Sequence, residues 1–132
     1  MSTTYYSSLE SLSEAPVATG VWWSSVARAL DDLDDRLAEE ALVDKGPDGA
    51  LNEAVAREPS LSNRAIEAEK ELSRLVESSR RLRRTVAESA GDADKVAEVA
   101  SELAALAVAE EHYRRRVRAV VWDSLTRDIG GE

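Results

Sequence analysis

The sequence predicts an all-α fold, a long antiparallel, coiled-coil-like helical hairpin with a shorter N-terminal helix packed on it in a helical bundle. Through residues 60–128, apolar and small residues recur at alternating four- and three-residue steps. Such spacing places them along one narrow stripe of each of two helices. The two segments meet at Ala90-Gly91-Asp92, where Gly91 suits a helix C-cap and Asp92 suits the N-cap of the next helix. These observations predict a hairpin that turns at Gly91.

The chain divides into an N-terminal segment, residues 1–20, and a single helical-bundle domain, residues 21–132. In the first segment Tyr5, Leu9 and Leu12 have helical spacing before Pro16, which indicates either a short docking segment or a tail. A length of 132 residues fits one domain.

A first long helix is predicted at residues 21–43, because one apolar stripe runs through it and acidic residues fill the other face. The stripe consists of Trp22, Val26, Leu30, Leu33, Leu37 and Ala41. Residues 44–49 contain Gly46, Pro47 and Gly49 and predict a turn. A short helix follows at residues 50–57 and ends before Pro59.

The two hairpin helices are predicted at residues 60–90 and 92–128, with Ser60 or Ser62 capping the first. Its stripe contains Leu61, Ala65, Ala68, Leu72, Leu75, Ser79, Leu82 and Val86. The stripe of the second contains Val96, Val99, Leu103, Leu106, Tyr113, Val117, Val120 and Ser124. Glu110 interrupts this second row.

The composition restricts the chemistry that the chain can perform. Cys is absent, which excludes disulfides and thiolate metal sites. The one histidine, His112, lacks the Glu three residues before it that a di-iron carboxylate motif needs, and we interpret it as structural. No nucleophile motif or glycine-rich phosphate loop is present. We therefore predict no catalytic residues, no metal and no cofactor.

The net charge of −9 is concentrated at the front of the chain. Residues 1–59 contain twelve acids and four bases, and residues 60–132 contain fourteen acids and thirteen bases. Such a chain repels nucleic acid and anionic membrane in bulk, so we expect neither as a partner. The apolar run Leu103 to Ala109 is too short to span a bilayer, and no signal-peptide pattern opens the chain. A cytoplasmic location is the expectation.

Two arginine clusters are candidates for anion binding: Arg80, Arg81, Arg83 and Arg84, and Arg114, Arg115, Arg116 and Arg118. A hairpin folded at Gly91 places the first cluster opposite Glu98 and Glu102. It places the second opposite Glu67, Glu69 and Glu71. We therefore favour charge pairing that fixes hairpin alignment, with some arginines reaching solvent or the aspartates of the first helix.

A partner or dimer surface is predicted at the open end of the hairpin. Helices this long exceed what the first helix can cover, and the uncovered apolar residues need a partner. The candidate residues are Trp22, Trp23, Val120, Val121, Trp122 and Leu125. If the first helix docks with its N-terminus at this end, the three Trp would cluster with Tyr5 or Tyr6, either as a core plug or as a binding surface.

The segment Leu30-Asp31-Asp32-Leu33-Asp34-Asp35-Arg36-Leu37 resembles the opening helix of all-helical chorismate mutases. That resemblance implies a helical enzyme with buried Arg and Lys that hold a dicarboxylate, a set that we cannot place in this sequence. The leading prediction is a non-enzymatic protein that acts in protein–protein interaction or homo-oligomeric assembly, as a homodimer or with another protein. A DNA-associated regulator that uses the arginine clusters is second, and a chorismate-mutase-like enzyme is third.

Overall fold

The computed structural model describes residues 9, 11–13, 20–45 and 49–130, and all of its regular elements in these ranges are helical. In order they are α1 (Gly20–Glu40), a π-helical turn (Ala41–Lys45), α2 (Ala50–Arg57), a 3₁₀ turn (Pro59–Leu61), α3 (Ser62–Ser89), a 3₁₀ turn (Ala93–Lys95) and α4 (Val96–Gly130). The predicted all-α helical bundle is confirmed.

Helices α3 and α4 form the antiparallel hairpin and bury the predicted stripes against each other and against the other helices. All eight stripe positions of the first hairpin helix are buried, from Leu61 to Val86. In α4 the stripe is buried from Val99 to Ser124, and Val96 is half-buried. Each fully buried leucine contributes about 1.5–3 kcal/mol to folding, so this row provides much of the stability.

The hairpin turns at Gly91, whose φ of 87° lies in the left-handed region that glycine adopts without strain. The Asp92 side chain accepts a hydrogen bond from the backbone N–H of Asp94 at 2.9 Å, which confirms the predicted N-cap. The cap predicted for α3 is wrong. Ser60 Oγ donates to the Glu58 carboxylate and Ser62 Oγ to the Pro59 carbonyl, because the 3₁₀ turn already extends this helix start.

Helix α1 lies along the hairpin with its predicted stripe buried, from Trp22 to Leu37. Asp34 bonds to Ser79 of α3, while Arg36 bonds to Glu110 of α4 and Glu40 to Arg114. Because Asp31 pairs with Arg83 and Asp34 with Ser79, residue numbers rise along α1 as they fall along α3. Helix α1 is therefore antiparallel to α3 and parallel to α4, and its N-terminus lies toward the Gly91 turn.

Helix α2 and part of the N-terminal segment complete the core. Helix α2 packs mainly against α4 and buries Leu51 and Ala54. From the N-terminal segment, Leu9 is fully buried and Leu12 packs against the core, where its carbonyl accepts a hydrogen bond from Trp22 Nε1 at 3.2 Å. The predictions for Tyr5, Tyr6, Pro16 and the centre of the turn at residues 46–48 lie outside the described residues.

None of the described helices combines the length and the apolar character that crossing a bilayer requires.

Candidate interaction surfaces

Three of the six residues predicted to form a partner surface are enclosed by the chain's own core. Trp22 and Trp23 are 3% and 4% exposed, and Val120 is fully buried. The two indoles pack edge to face, with ring centroids 5.0 Å apart and an interplanar angle of 77°. These side chains contribute to folding and are not available at the surface of this conformation.

The arrangement of the tryptophans differs from the predicted cluster at the open end. Trp22 precedes Asp31 by nine residues, or roughly 13 Å of helix, in the direction of the Gly91 turn. Trp122 lies at the opposite end, where the neighbouring Asp123 pairs with Arg64 at 2.6 Å. A three-Trp cluster would require the N-terminus of α1 to lie at the open end of the hairpin. It lies toward the Gly91 turn instead, so the predicted cluster does not form.

The other three residues form what we call the C-terminal patch: Val121, Trp122 and Leu125. Trp122 is 65% exposed, Leu125 is 42% exposed and Val121 is half-buried. The core side of α4 is fixed here by Arg57, whose Nε and Nη2 donate to Ser124 Oγ at 3.3 and 3.2 Å. The patch therefore projects outward from a helix that is held in place.

A second surface is an open groove of about 350 Å³ between α3 and α4, which we call the hairpin groove. Its lining consists of Glu71, Arg74, Leu75, Ser78, Arg81, Leu82, Glu102, Ala105, Leu106 and Ala109. Helix α1 packs on the other side of the hairpin, where it contacts Ser79 and Arg83. One end of the groove is bounded by Glu71, whose Oε2 lies 2.7 Å from His112 Nδ1.

The arginine clusters pair with acids to different extents. Arg116 lies 2.6 Å from Glu71 across the hairpin, close to the predicted alignment, and Arg114 bonds to Glu40 and Glu110 at 3.1 Å each. Arg115 and Arg118 pair with Glu111 on their own helix. Arg83 pairs with Asp31 at 2.7 Å and with Asp34, so it reaches α1 and not Glu98 or Glu102.

The remaining arginines of the first cluster, Arg80, Arg81 and Arg84, are exposed. Among the described residues none of these three forms an ion pair. The sequence could not distinguish them from Arg83, because only the packing of α1 determines which arginine meets an aspartate.

A buried polar cluster connects α1 to α4. Glu110 is fully buried, and its Oε2 accepts hydrogen bonds from Arg36 Nε at 2.9 Å, from Arg36 Nη2 at 2.6 Å and from Arg114 Nη2 at 3.1 Å. Arg114 Nε also donates to Glu40 Oε2 at 3.1 Å. Two arginines thus compensate the charge of a carboxylate that burial alone would strongly destabilise. This is the residue that interrupts the predicted stripe.

The π-helical turn attaches to the same cluster through Tyr113, whose hydroxyl donates to Asp44 Oδ2 at 2.9 Å. Burial raises the pKa of the Tyr113 hydroxyl, and Asp44 raises it further. Burial also raises the pKa values of Glu40 and Asp44, against the opposing effects of Arg114 on the first and of the Tyr113 hydrogen bond on the second. The cluster therefore holds a tyrosine that stays protonated and donates.

Within the part of the chain that the structure describes, no three acidic or histidine side chains are arranged to hold a metal ion. His112, whose side chain is 62% exposed, contacts Glu71.

Comparison of the chain with protein-family models, with curated proteins and with solved structures gave no match.

Sequence reasoning missed Arg36, Glu40 and Asp44 as members of the buried cluster, and it missed the hairpin groove. For the cluster, the interruption at Glu110 was the available signal. For the groove, the signal was the uncharged run from Leu103 to Ala109, which supplies the small residues of one wall.

Proposed function

We propose that the protein is a non-enzymatic assembly module that binds another protein chain through the C-terminal patch. The observation that carries this proposal is Trp122, a tryptophan that is 65% exposed beside the partly exposed Leu125. Tryptophan is enriched among the residues that dominate binding energy at protein interfaces. Covering a large apolar side chain that is exposed to water lowers the free energy of the system and so favours binding.

The lengths of the helices support this placement. Helix α4 has 35 residues and α1 has 21, and the contact between Glu40 and Arg114 marks where α1 ends along α4. Beyond this point α4 is covered by α2, which has eight residues. None of the described helices covers the outer face around Trp122, which is 65% exposed, and an additional chain can pack there.

A photo-crosslinker placed at the patch tests the proposal. Trp122→benzoylphenylalanine is expected to form a covalent adduct of defined mass, because a bound partner would hold this position in contact. The adduct is measured by mass spectrometry in the purified protein and in a lysate of the source cells. Twice the chain mass would identify a second copy, and any other mass another protein.

Leu42→benzoylphenylalanine is the matched control, since Leu42 is 76% exposed but lies on the π-helical turn. Adducts at position 122 that are missing at position 42, and that Leu125→Ser weakens, support the proposal. Equal labelling at both positions, or none at position 122 in either preparation, contradicts it.

Nucleic-acid binding by the arginine clusters remains a second proposal with weaker support. Five of the eight arginines contact acids, and the exposed Arg80, Arg81 and Arg84 are the ones left for phosphate. A mobility shift with DNA at low salt that Arg80→Glu and Arg84→Glu abolish would favour it, and no shift would remove it.

A further inference from the structure

We infer that the hairpin groove is the contact face of a symmetric dimer, in which the same groove of a second copy covers it. The inference rests on the proposed role in assembly and names a second copy as one partner. It uses a different face of the molecule from the C-terminal patch, so the two can be tested separately.

The groove has the shape and polarity that another helix pair needs. Leu75, Leu82 and Leu106 form its apolar floor, and Ala105 and Ala109 are the small residues of its α4 wall. Small side chains allow helices to approach closely, so two such faces can pack as a four-helix bundle.

The charges on the two walls are of opposite sign. Arg74 and Arg81 lie on the α3 wall and Glu102 on the α4 wall. Within the described ranges none of these three side chains forms an ion pair. Each copy therefore offers unpaired positive charge on one wall and unpaired negative charge on the other.

A two-fold axis parallel to the hairpin brings these walls together. Such an axis places α3 of one copy antiparallel to α4 of the other. Residues at the same position along the hairpin axis then face each other across the two copies. The contact between Glu71 and His112 fixes the hairpin alignment. Arg81 lies ten residues after Glu71, and Glu102 lies ten residues before His112. Arg81 and Glu102 are therefore at the same position along the hairpin axis. Arg81 of each copy then faces Glu102 of the other, twice per dimer.

The distribution of net charge favours the same arrangement. Residues 60–132 contain fourteen acids and thirteen bases, whereas the acidic excess belongs to residues 1–59. Helix α1, with its aspartates, packs on the side of the hairpin opposite the groove. Two copies can therefore meet groove to groove without bringing their most acidic faces together.

Charge reversal in two separately purified variants tests the inference. The wild-type chain is expected to sediment at twice its 14.4 kDa mass. Arg81→Glu and Glu102→Arg should each raise the dimer Kd by roughly tenfold or more, because two attractive pairs become repulsive. An equimolar mixture of the two variants should regain the dimer, since unlike charges face each other again in the mixed pair.

Arg80→Glu is the matched control, because Arg80 is exposed but lines a different groove beside Ala41 and Val76. Circular dichroism of each variant establishes that it is folded. A monomeric wild-type chain at all concentrations, an unchanged mass for Arg81→Glu, or a mixture that stays monomeric overturns the inference. A dimer that Trp122→Ser dissociates and Arg81→Glu does not would assign self-association to the C-terminal patch, which supports the proposed function and overturns this inference.

Discussion

Glu110 occupies a position in α4 where its neighbours along the stripe are Leu106, Tyr113 and Val117. Its carboxylate is fully buried and accepts three hydrogen bonds from Arg36 and Arg114. Such a group adds little net stability compared with a well-packed apolar residue, but it strongly disfavours any arrangement that leaves it unpaired. Glu110 therefore selects the position of α1 that brings Arg36 to it.

The residue-scale prediction concerns the substitution Glu110→Ala. We expect it to reduce the free energy of unfolding by about 3 kcal/mol, since it leaves the partly buried Arg36 without its carboxylate and opens a cavity. Urea denaturation monitored by circular dichroism measures the change. Glu111→Ala is the control, because Glu111 pairs with the exposed Arg115, and it should cost at most about 1 kcal/mol. Equal effects of the two substitutions would refute the assigned role of Glu110.

The sequence showed that Glu110 breaks the stripe but could not show its partners. Arg36 lies 74 positions away, and a helix-period pattern reveals which face is buried without revealing which helix covers it. The same limitation applies to Asp44, whose contact with Tyr113 depends on the π-helical turn. The sequence of Ala41–Lys45 contains no signal that predicts this five-residue π-helical turn.

At the level of elements, two adjacent residues with different structural roles determine the turn between α3 and α4. Gly91 supplies a left-handed conformation, and Asp92 caps the helical turn that follows. Both positions were predictable because a left-handed backbone conformation and a helix N-cap each depend on the residue type at that position and not on distant contacts. The buried stripes were predictable for a similar reason, since a repeating spacing identifies one face of a helix whatever its neighbours are.

The element-scale prediction concerns Gly91→Ala. A Cβ at this position would meet no atom within 4 Å, so the cost is the left-handed backbone alone, about 1 kcal/mol. Gly20→Ala is the matched control, because it also has open space but no positive φ, and it should not destabilise the fold. Chemical denaturation of both variants gives the comparison. A cost for Gly20→Ala as large as that for Gly91→Ala would contradict a backbone origin.

For the whole molecule, the direction of α1 was the feature that the sequence left open. The stripe from Trp22 to Leu37 fits the hairpin in either direction, because alternating apolar spacing looks alike from both ends of a helix. The choice depends on specific pairs, Asp31 with Arg83 and Glu40 with Arg114. These pairs are formed by charged residues outside the apolar stripe, about which the hydrophobic pattern carries no information.

The prediction at this scale uses the absence of cysteine from the chain. In the variant Asp31→Cys with Arg83→Cys, a short bis-maleimide should join the two positions within one chain, because their native side chains are in contact. In the variant Asp31→Cys with Arg118→Cys it should not, since Asp31 lies nine residues before Glu40, the α1 residue that meets Arg114, and Arg118 lies beyond that contact. Peptide mapping after digestion identifies the products. A crosslink in the second variant and none in the first would contradict this alignment of α1 on the hairpin.

The separation of the tryptophans has a spectroscopic consequence. Two of the three indoles, Trp22 and Trp23, are shielded in the core, and Trp122 faces the solvent at the far end of the bundle. A soluble quencher such as acrylamide therefore reaches one emitter and largely spares the other two. A chain that covers the C-terminal patch would shift the emission of that one indole to shorter wavelength and protect it. The molecule thus contains a built-in optical reporter for occupancy of this surface, with an internal reference in the same polypeptide.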